Sequence, residues 1–577
     1  MSIFNMKFFR FLGFKKKPNA PWSKYYSKED LDLEIPNTSL YEYFIENTKQ
    51  NNSLNAIDYY GTKITYKELK KRIKDTAEAL LYYGIRKGDV VTICMPNTPE
   101  SIIAFLAVNK IGAISNMVHP LSSENEIKQT LKETDSKILI LIDMDYRKVK
   151  HIIKETNVIK TVIVKASNSM PLLMKIGYQV KFGRKIEVPY GNKRYIYWND
   201  FIKKIDKTKK YTYVGTKNSP AVMIHSGGTT GTPKGIVLSN GNFMALVEQS
   251  KVVFDELEKG DKCLSIMPVF HGFGLGVCIY TPLCLGAECI VIPKFNANDF
   301  GNLLNKHHPE FVIGVPTLFE AMIKSEKIDN LNYLKYVIAG GDTLKPSLEE
   351  KINEFMHHNG ANTKISQGYG MSEALAAVAL EPKNIDRKHC IGIPFPGCYI
   401  GIFDTNDKEV EFGKEGEICI SGPNVMLGYY NNEKETNLAL HIHEDGNIWL
   451  HSGDLGKMDE DGFITYTSRL KRLIVSSGYN VYPAQIEALL ESHEAVMASS
   501  VVGIPHQYKV EVPKAFIVLN KGYKKTEELE LELREICKKN LPKYALPYEY
   551  EFRKSLPRTL VGKVDFKKLQ QENKERK

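Results

Sequence analysis

The sequence has no paired-cysteine motif and no long apolar run. Its 577 residues include nine cysteines, an odd number, and no two of them form a CxxC pair. This spacing argues against a disulfide framework or a cysteine zinc site, and it favours a reducing compartment with buried thiols. No stretch approaches the roughly 20 consecutive apolar residues that a membrane-spanning helix requires.

The histidine spacing and the net charge argue against two further kinds of site. Histidines lie close together at 307–308, 357–358 and 441–443, without a Cys or carboxylate at metal-ligand spacing. We therefore expect surface histidines there and no zinc centre. The net charge of +10 is modest and spread along the chain. Lysine-rich solvated faces account for it, so no nucleic-acid partner is expected, whereas attraction to an anionic membrane stays compatible.

Residues 1–30 form an amphipathic N-terminal segment. Phe4, Phe8, Phe11 and Leu12 fall on one helical face, and three lysines follow at 15–17. The longer uncharged core and the small-residue cleavage site of a secretory signal peptide are missing. Two interpretations stay open, namely docking on the protein's own surface and an in-plane membrane contact. Residues 170–185 are a second candidate for such a contact.

The chain exceeds what one hydrophobic core supports, so at least two domains are expected. Helical and short strand-like runs alternate between about 40 and 164 and again between 261 and 339, which predicts two largely parallel sheets flanked by helices. The predicted helices span 66–83, 99–111, 272–285 and 317–325, and the predicted strands 89–94, 137–142, 263–267, 288–292, 311–315 and 336–338.

The pattern changes after residue 391. Short alternating strands at 399–403, 417–421 and 463–466 predict a small β-rich subdomain. Beyond 469, helices at 483–491 and 526–538 and strands at 496–503 and 514–519 predict a smaller α+β domain. The predicted fold class is therefore α/β. A large N-terminal domain at 31–470 holds two α/β sheet subdomains and the β-rich subdomain at about 391–470, and a C-terminal domain follows at 471–577.

Small residues, hydroxyls and one lysine fill a loop between two apolar strand-like runs. Its residues are Ser226, Gly227, Gly228, Thr229, Thr230, Gly231, Thr232, Pro233, Lys234 and Gly235. Glycines let backbone N–H groups approach phosphate oxygens, the hydroxyls add short donors and the lysine adds positive charge. We therefore predict a polyphosphate clamp rather than a flexible surface loop. It is not the P-loop motif, which requires Gly-Lys followed by Ser or Thr.

This loop resembles the signature loop of the adenylate-forming superfamily, which comprises acyl-CoA synthetases, firefly luciferases and peptide-synthetase adenylation domains. The resemblance implies a ligase that uses ATP and Mg²⁺ to convert a carboxylic acid into acyl-AMP and pyrophosphate. It then implies transfer of the acyl group to coenzyme A. It also implies a mobile C-terminal domain that rotates about a hinge between the two steps.

A second motif is Gln367-Gly368-Tyr369-Gly370-Met371-Ser372-Glu373, which resembles the family's Tyr-Gly-x-Thr/Ser-Glu. By that match Tyr369 lies along the adenine, Ser372 contacts the α-phosphate and Glu373 is the metal ligand for Mg²⁺. A carboxylate suits this hard cation, which takes few protein ligands. On its own, the segment would indicate only a helix start capped by Ser372.

Two glycine turns match further family motifs. Ala339-Gly340-Gly341-Asp342 follows a predicted strand and matches the turn beside the adenine and the acyl pocket. His451-Ser452-Gly453-Asp454 resembles the motif whose aspartate receives the ribose hydroxyls, for which a carboxylate is a bidentate acceptor. Taken alone, each is an ordinary turn.

The segment from Arg469 to Pro483 resembles the family's hinge. By that match Arg469 contacts ribose or phosphate, Lys471 is the hinge and the turn at Gly478 lies beside the pantetheine channel. Some relatives carry lysine at 475 and glutamine at 480, where this chain has valine and asparagine, so those contacts are not carried over.

Residues 557–563 resemble the C-terminal motif that ends in the adenylating lysine, here Lys563. With Lys234, it would neutralise the α-phosphate region during adenylation. Exposure in a basic tail is the alternative for Lys563 considered alone. Six motifs in family order therefore extend from Ser226 to Lys563.

The expected substrate follows from the absence of an aspartate beside the predicted acyl pocket. Amino-acid-activating relatives carry an aspartate just after the motif that matches 268–271, and this chain has none there. We expect a pocket for an uncharged acyl chain, lined by His271, Gly272, Gly314 and Gly340. The small residues at 272, 274, 276 and 278 are expected to leave room for a tunnel. A satisfied interior histidine is the alternative for His271. A medium- to long-chain fatty acid is the expected substrate, and aryl acids stay open.

Three other functions stay in view. A fatty acyl-AMP ligase would load an acyl carrier protein, and a kinase-like phosphate-loop protein would release ADP. A lipid-binding scaffold would have lost the catalytic groups, yet Glu373, Asp454, Arg469 and Lys563 are present. A cytoplasmic location is expected, with peripheral attachment to the inner face of a membrane as an option.

Overall fold

A computed structural model describes most of the chain. The described residues are 13–183, 186–187, 189, 192–205, 211–226, 234–325, 328–383, 385, 387, 390–476, 479–506, 508–559 and 564–575. Within these ranges, no helix combines the length and the apolar character needed to cross a membrane.

The first sheet is the largest of the four in the described part of the chain. Within the described ranges it has nine strands, and its inner strands run parallel, with antiparallel neighbours at both edges. In spatial order they are Ile393–Pro394, Ala379–Leu380, Ile365–Tyr369, Tyr336–Ala339, Phe311–Gly314, Lys262–Ser265, Glu288–Val291, Asn55–Tyr59 and Thr62–Thr65. The fully buried runs at 311–314 and 336–339 are typical of strands covered on both faces.

The second sheet is also largely parallel and has eight strands in the described part of the chain. Their spatial order is Gly428–Tyr429, Lys234–Ser239, Pro220–Ser226, Ile114–Met117, Val90–Cys94, Ile138–Ile142, Lys160–Val164 and Tyr195–Tyr197. A large hydrophobic core includes residues of both sheets and the helices packed on them.

Most helices flank the two sheets because their apolar faces must be buried against them, whereas the helix Leu172–Phe182 has no buried residue. The longer ones span Leu40–Asn47, Tyr66–Tyr82, Pro99–Lys110, Glu124–Glu133, Leu172–Phe182, Asn240–Val253, Phe300–His307, Pro316–Ile323 and Pro346–His358, and short ones span Lys28–Leu31, Tyr146–Val149, Trp198–Phe201 and Thr281–Leu285. Local sequence sets these boundaries. Thr98, for example, accepts a hydrogen bond from the Ser101 N–H at 3.2 Å, and Pro99 takes the first helical position.

The third sheet forms the β-rich subdomain and is antiparallel throughout. Its strands are Tyr399–Phe403, Gly416–Ser421, Ile448–Met458, Leu440–Ile442 and Ile464–Arg469, with the helix Glu433–Ala439 beside them. The N-terminal segment docks here. Trp22 is buried, the Phe14 ring lies 4.4 Å from that of Tyr399, and the Lys15 N–H donates to Asn447 Oδ1 at 2.9 Å. Residues 13–25 thus contact the protein itself, and residues 1–12 lie outside the described ranges.

The C-terminal region has its own sheet and hydrophobic core. The strands are Tyr479–Val481, Ile474–Ser476, Val510–Leu519, Val496–His506 and Glu549–Arg553, and the helices are Pro483–Glu491, Glu527–Asn540 and Phe566–Glu575. The predicted fold class is confirmed: two α/β sheets and a β-rich subdomain are followed by a smaller α+β region.

Candidate active site

The predicted phosphate loop connects two paired strands. Pro220–Ser226 and Lys234–Ser239 run antiparallel, with Ser226 opposite Lys234, so the chain turns back on itself between them. Gly227, Gly228, Thr229, Thr230, Gly231 and Thr232 lie outside the described residues. His225 stands at the entrance, where its Nε2 lies 2.6 Å from Asn116 Oδ1. Burial lowers the pKa of His225 to about 4, so its ring is neutral at pH 7.

Lys234 connects the loop to the predicted metal ligand. Its ammonium forms an ion pair with Glu435 and lies 5.0 Å from the centre of the Tyr429 ring. The Tyr429 hydroxyl donates to Glu373 Oε1 at 2.9 Å. The hydrogen bond from Lys234 lowers the pKa of Glu435, and nearby Lys471 lowers it further. Phosphate-binding, metal-binding and hinge candidates thus share one electrostatic neighbourhood.

Glu373 sits in a tight, strained turn. Its side chain is 9% exposed, and its carbonyl accepts a hydrogen bond from the Met426 N–H at 2.8 Å. Glu373 lies in the turn Ser372–Ala374, and the two residues after that turn, Leu375 and Ala376, have φ of 48° and 73°. Such positive values are unusual for non-glycine residues. Such strain concentrates at functional sites. An ionised carboxylate has about four acceptor positions, so Glu373 can receive Tyr429 and still bind a hard cation.

The ribose candidates form a second cluster at the same segment. Asp454 is 2% exposed, and its carboxylate accepts a hydrogen bond from the Tyr369 hydroxyl at 2.8 Å. Arg469 Nε lies 2.9 Å from Asp454 Oδ1, because the two residues are opposite each other on neighbouring strands. Burial and the adjacent Asp454 keep the pKa of Tyr369 well above its usual value, so the phenol remains a donor.

The proposed acyl-pocket residues converge from three chain segments. The Gly340 N–H donates to the Gly314 carbonyl at 2.9 Å, and a Cβ at Gly340 would lie 3.2 Å from the Phe273 ring. A Cβ at Gly272 would lie 3.6 Å from Ala376, just after the Glu373 turn. His271 is half-buried beside them. Gln367 and Gly368 belong to the strand that leads to Tyr369, and Gly341 follows Gly340 at positive φ.

The prediction that the small residues at 272–278 leave room for a tunnel is partly wrong. A Cβ at Gly274 would lie 2.0 Å from the Pro268 carbonyl oxygen, and one at Gly276 would meet Leu246 and Leu375 at 3.2 and 3.3 Å. These glycines therefore permit close packing rather than line an open tunnel. The helix predicted at 272–285 is π-helical over Phe273–Tyr280 and α-helical over Thr281–Leu285. Among the glycines at 272, 274 and 276, only Gly272 has space for an added Cβ at ordinary contact distances.

Two further predicted residues lie outside the described ranges. They are Gly478, which follows the strand Ile474–Ser476 in the sequence, and Lys563. The flanks of the Lys563 segment are described, and Arg558 pairs with Val564 across it. Lys471 lies in the short 3₁₀ turn Leu470–Arg472, directly after Arg469.

The expectation of surface histidines is wrong at two positions. His307 is buried and its Nδ1 lies 3.4 Å from Asp58 Oδ2, and His443 is buried beside His451. Asp58 is far from His307 in the chain and meets it where the helix Phe300–His307 ends, whereas the pairing of Leu440–Ile442 with Ile448–Met458 brings His443 close to His451. His357 and His358 are exposed as expected. The buried-thiol expectation is confirmed, since all nine cysteines are free and buried.

Sequence reasoning missed several residues of the site. Tyr429, Glu435, His225 and Asn116 belong to no motif that the sequence analysis used. Tyr429 belongs to the two-residue strand Gly428–Tyr429, and Glu435 lies in the helix Glu433–Ala439 that follows it, so each is a weak signal by itself. Their positions depend on the pairing of Gly428–Tyr429 with the loop strand Lys234–Ser239.

Comparison with known proteins identifies the family. The model of the AMP-binding enzyme family matches residues 44–430, and that of the AMP-binding enzyme C-terminal domain matches residues 485–563. The chain belongs to the AMP-binding enzyme family. It is therefore an AMP-forming acid–thiol ligase in its general class. Curated relatives of this AMP-binding enzyme include the long-chain-fatty-acid–CoA ligase of Bacillus subtilis, which is 31% identical over 96% of this chain and 98% of the relative.

Other relatives differ in the acid that their names specify. A probable 4-coumarate–CoA ligase 1 of Dictyostelium discoideum is 30% identical over 88% of this chain and 91% of its own length. Among solved structures, ATP-bound MatB from Rhodopseudomonas palustris has a TM-score of 0.81 at 23% identity, covering 94% of this chain and 99% of MatB. The anthranilate CoA ligase AuaEII with anthranoyl-AMP has a TM-score of 0.80 at 21% identity, covering 94% and 98%. These structures support the fold of the AMP-binding enzyme.

Proposed function

We propose that this enzyme activates a medium- to long-chain fatty acid as acyl-AMP and transfers the acyl group to coenzyme A. The observation that carries the proposal is the convergence on residues Tyr369–Glu373. The Tyr429 hydroxyl donates to Glu373, and the Tyr429 ring lies beneath the Lys234 ammonium. Four residues before Glu373 in the chain, the Tyr369 hydroxyl donates to Asp454. Groups suited to phosphate, a cation and ribose therefore meet at the carboxyl end of the strand Ile365–Tyr369, where α/β sheets bind ligands.

The first step is adenylation. A carboxylate oxygen of the acid forms a bond to the α-phosphorus of ATP, and the bond from that phosphorus to the leaving pyrophosphate breaks. Lys234 would leave Glu435 to contact phosphate oxygens, and Lys563 would add a second positive charge. Glu373 would hold Mg²⁺, which when bound neutralises charge on the phosphoryl oxygens. Asp454 would accept the ribose hydroxyls, and Arg469 would keep its carboxylate oriented.

The second step is thiolysis. The coenzyme A sulfur bonds to the acyl carbon, AMP leaves with the former carboxylate oxygen, and the thiol proton passes to solvent. In this proposal Lys471 is the hinge between the domains 31–470 and 471–577. The two family matches leave residues 431–484 between them, and the turn Leu470–Arg472 lies in that interval. Rotation would break two side-chain contacts across this boundary, Lys345 with Glu491 and Tyr482 with Glu415.

The preference for a fatty acid rests on the character of the pocket. A Cβ at Gly340 would lie 3.2 Å from the Phe273 ring, one at Gly341 would lie 3.6 Å from Val315, and no acidic residue follows His271 before Gly276. Such a wall suits an uncharged acyl chain and does not pair an ammonium group. The similarity to the long-chain-fatty-acid–CoA ligase of Bacillus subtilis favours the same class. An aryl acid is the second candidate, since a 4-coumarate–CoA ligase is about as similar.

A substrate panel tests the proposal. Purified enzyme with ATP and Mg²⁺ is assayed for pyrophosphate release with hexanoate, decanoate, palmitate, oleate, benzoate and 4-coumarate, each with and without coenzyme A. The proposal expects the highest kcat/KM for decanoate or a longer acid and formation of acyl-CoA. A preference for benzoate or 4-coumarate would replace the fatty acid by an aryl acid. Acyl-AMP accumulation that only a phosphopantetheinylated acyl carrier protein relieves would indicate the acyl-AMP ligase alternative.

A peripheral membrane contact fits the same function. The helix Leu172–Phe182 exposes Leu172, Leu173, Ile176 and Val180 along a face of about 100°. Such an amphipathic face can lie in the plane of a membrane that supplies the acid. Sedimentation with anionic vesicles should decrease for Leu173→Glu, whereas unchanged sedimentation would remove this contact from the proposal. A cytoplasmic location remains the expectation, with peripheral attachment to the inner face of a membrane as an option.

A further inference from the structure

Three histidines and one aspartate meet on one face of the β-rich sheet, and one of them, His451, begins the motif that ends at Asp454. His441 and His443 are two residues apart at the strand Leu440–Ile442, and His451 is on the adjacent strand Ile448–Met458. Residues two apart on a strand share a face, so the three imidazoles point to the same side. Asp407 approaches from the turn between the strands Tyr399–Phe403 and Gly416–Ser421, with φ of 58°.

The spacing of the ligand atoms matches a single small cation. His443 Nε2 and His451 Nε2 are 3.0 Å apart, and His441 Nδ1 lies 3.2 Å from Asp407 Oδ2. Asp407 Oδ1 is 3.6 Å from His451 Nε2, and Asp407 Oδ2 is 4.0 Å from His443 Nε2. Tetrahedral zinc with bonds of about 2.0–2.2 Å separates its ligand atoms by about 3.3–3.6 Å. The measured distances bracket this value, and the ligand atoms all lie within 4.8 Å of one another.

A carboxylate behind the cluster orients one of the imidazoles. His451 Nδ1 lies 2.8 Å from Glu417 Oε2, so the proton belongs on Nδ1 and the Nε2 lone pair faces the cluster. Glu417 is itself held by the Gly453 N–H, which donates to its Oε1 at 2.8 Å. Metal-bound histidines commonly have such a carboxylate on the other ring nitrogen, and it raises their basicity.

The other ligands combine rigidity with access. The His443 side chain is only 3% exposed, and its ring stacks on Trp449 at 5.7 Å and meets Phe403 edge-on at 4.6 Å. His441 and Asp407 are each about one-third exposed, which leaves a route for an ion from solvent. Three imidazoles with one carboxylate favour zinc and similar transition metals, whereas Mg²⁺ prefers oxygen ligands only.

We propose that Asp407, His441, His443 and His451 bind a transition-metal dication, Zn²⁺ or its analogue Co²⁺, at a site separate from the Mg²⁺ ligand Glu373. The ion braces the turn at 407 against the strands at 441 and 451. His451 is three residues from Asp454 on the same strand, and Glu417 contacts both His451 and Gly453. The site therefore fixes the segment that presents Asp454, and its ligands position that residue rather than touch substrate.

Cobalt spectroscopy on the full-length protein tests this site. Chelator-treated protein in Mg²⁺-free buffer is titrated with Co²⁺, whose visible absorption is strong in tetrahedral sites and weak in six-coordinate ones. The proposal expects one equivalent of Co²⁺ with a tetrahedral spectrum, no thiolate charge-transfer band, and displacement by Zn²⁺. A six-coordinate spectrum or the absence of stoichiometric binding would overturn it. A thiolate band would overturn the assigned ligand set, because Cys419 Sγ lies 3.6 Å from His451 Nδ1.

Variants connect the signal to these residues. His441→Ala, at the exposed edge, should lose the tetrahedral spectrum, and Glu417→Gln should bind Co²⁺ about 10- to 100-fold more weakly. His493→Ala is the matched control, since it also removes a histidine from a carboxylate, Glu532, at 3.2 Å. Zn²⁺ should raise the melting temperature of wild type and His493→Ala but not of His441→Ala. Equal Co²⁺ binding by His441→Ala and His493→Ala would overturn the proposal, and circular dichroism confirms that each variant is folded.

Discussion

Replacing Gly370 by alanine would place a methyl group where the backbone after the Glu373 turn already lies. A Cβ at Gly370 would be 1.8 Å from the Ala376 carbonyl oxygen, 2.4 Å from its carbon and 2.8 Å from the Ala377 Cα. An ordinary contact begins at 3.4 Å, so the two backbone segments would have to separate by 3.4 − 1.8 = 1.6 Å. No flexible side chain can absorb this change, because the obstructing atoms belong to the main chain.

That displacement would move the turn that carries Glu373. A misplacement of about 1 Å in a catalytic group can reduce the rate about 100-fold. We therefore expect Gly370→Ala to lower kcat/KM for adenylation by at least about 100-fold and to raise the Mg²⁺ concentration needed for half-maximal rate. Overpacking should also lower the free energy of unfolding by about 1–3 kcal/mol.

The assay is pyrophosphate release at a temperature where circular dichroism shows both proteins folded, with Mg²⁺ as the varied component. Gly177→Ala is the control. Gly177 lies in the exposed helix Leu172–Phe182, and a Cβ there meets nothing within 4 Å. It should keep full activity and gain about 0.5–1 kcal/mol in stability. A Gly370→Ala enzyme with wild-type kcat/KM and wild-type Mg²⁺ dependence would refute the assignment of this turn to the active site.

Four further predictions follow from the same site. Asp454→Asn should lower kcat/KM for ATP about 10- to 100-fold, because hydrogen bonds to a charged group contribute about 1.5–3 kcal/mol each. The variant should also lose discrimination between ATP and 3′-deoxy-ATP. Retained discrimination would contradict the contact between Asp454 and the ribose. Glu435→Gln should lower KM for ATP by up to about 5-fold, because Lys234 would be released for phosphate and a partly exposed ion pair is worth at most about 1 kcal/mol. Glu433→Gln, in the same helix, is the control, and a higher KM only in Glu435→Gln would argue against the exchange. Lys563→Ala should abolish pyrophosphate release yet spare thioester formation from supplied acyl-AMP, whereas equal loss of both steps would contradict an adenylation-specific role. His225 has a folded-state pKa of about 4 against an ordinary 6.5, so its neutral form stabilises the fold above pH 6.5 and this contribution is lost as pH falls toward 4. The difference in melting temperature between wild type and His225→Gln should therefore shrink as pH falls from 6.5 to 4. A constant difference would exclude this contribution of His225.

Much of the fold could be predicted because hydrophobic periodicity is a local signal. The strand predicted at 399–403 and the helix predicted at 483–491 coincide with Tyr399–Phe403 and Pro483–Glu491. Strand lengths were less predictable where hydrogen bonding to a neighbouring strand decides where a strand ends. The strand predicted at 496–503 extends to His506, because ladder pairing with Val510–Leu519 continues to the end of the hairpin.

The motif residues of the site could also be found in the sequence, but their partners could not. Tyr369 and Asp454 are far apart in the chain and lie on different sheets, and Glu373 lies in a turn whereas Tyr429 lies on a strand, so each pair meets only when the separate elements pack together. The histidine cluster had a weak local signal. His441 and His443 alternate on one strand, an Asp-Gly turn follows at 445–446, and His451 returns on the next strand. The turn and the alternation together predict a shared face, which a search for zinc-motif spacing does not detect.

Isotope transfer shows whether the oxygen of the acid attacks the α-phosphorus of ATP. Decanoate labelled with ¹⁸O in both carboxylate positions is converted with ATP and coenzyme A, and the nucleotide products are analysed by mass spectrometry. Attack at the α-phosphorus should give AMP that carries one ¹⁸O per turnover, with unlabelled pyrophosphate. Label in inorganic phosphate together with ADP would instead show attack at the γ-phosphorus and would refute adenylation.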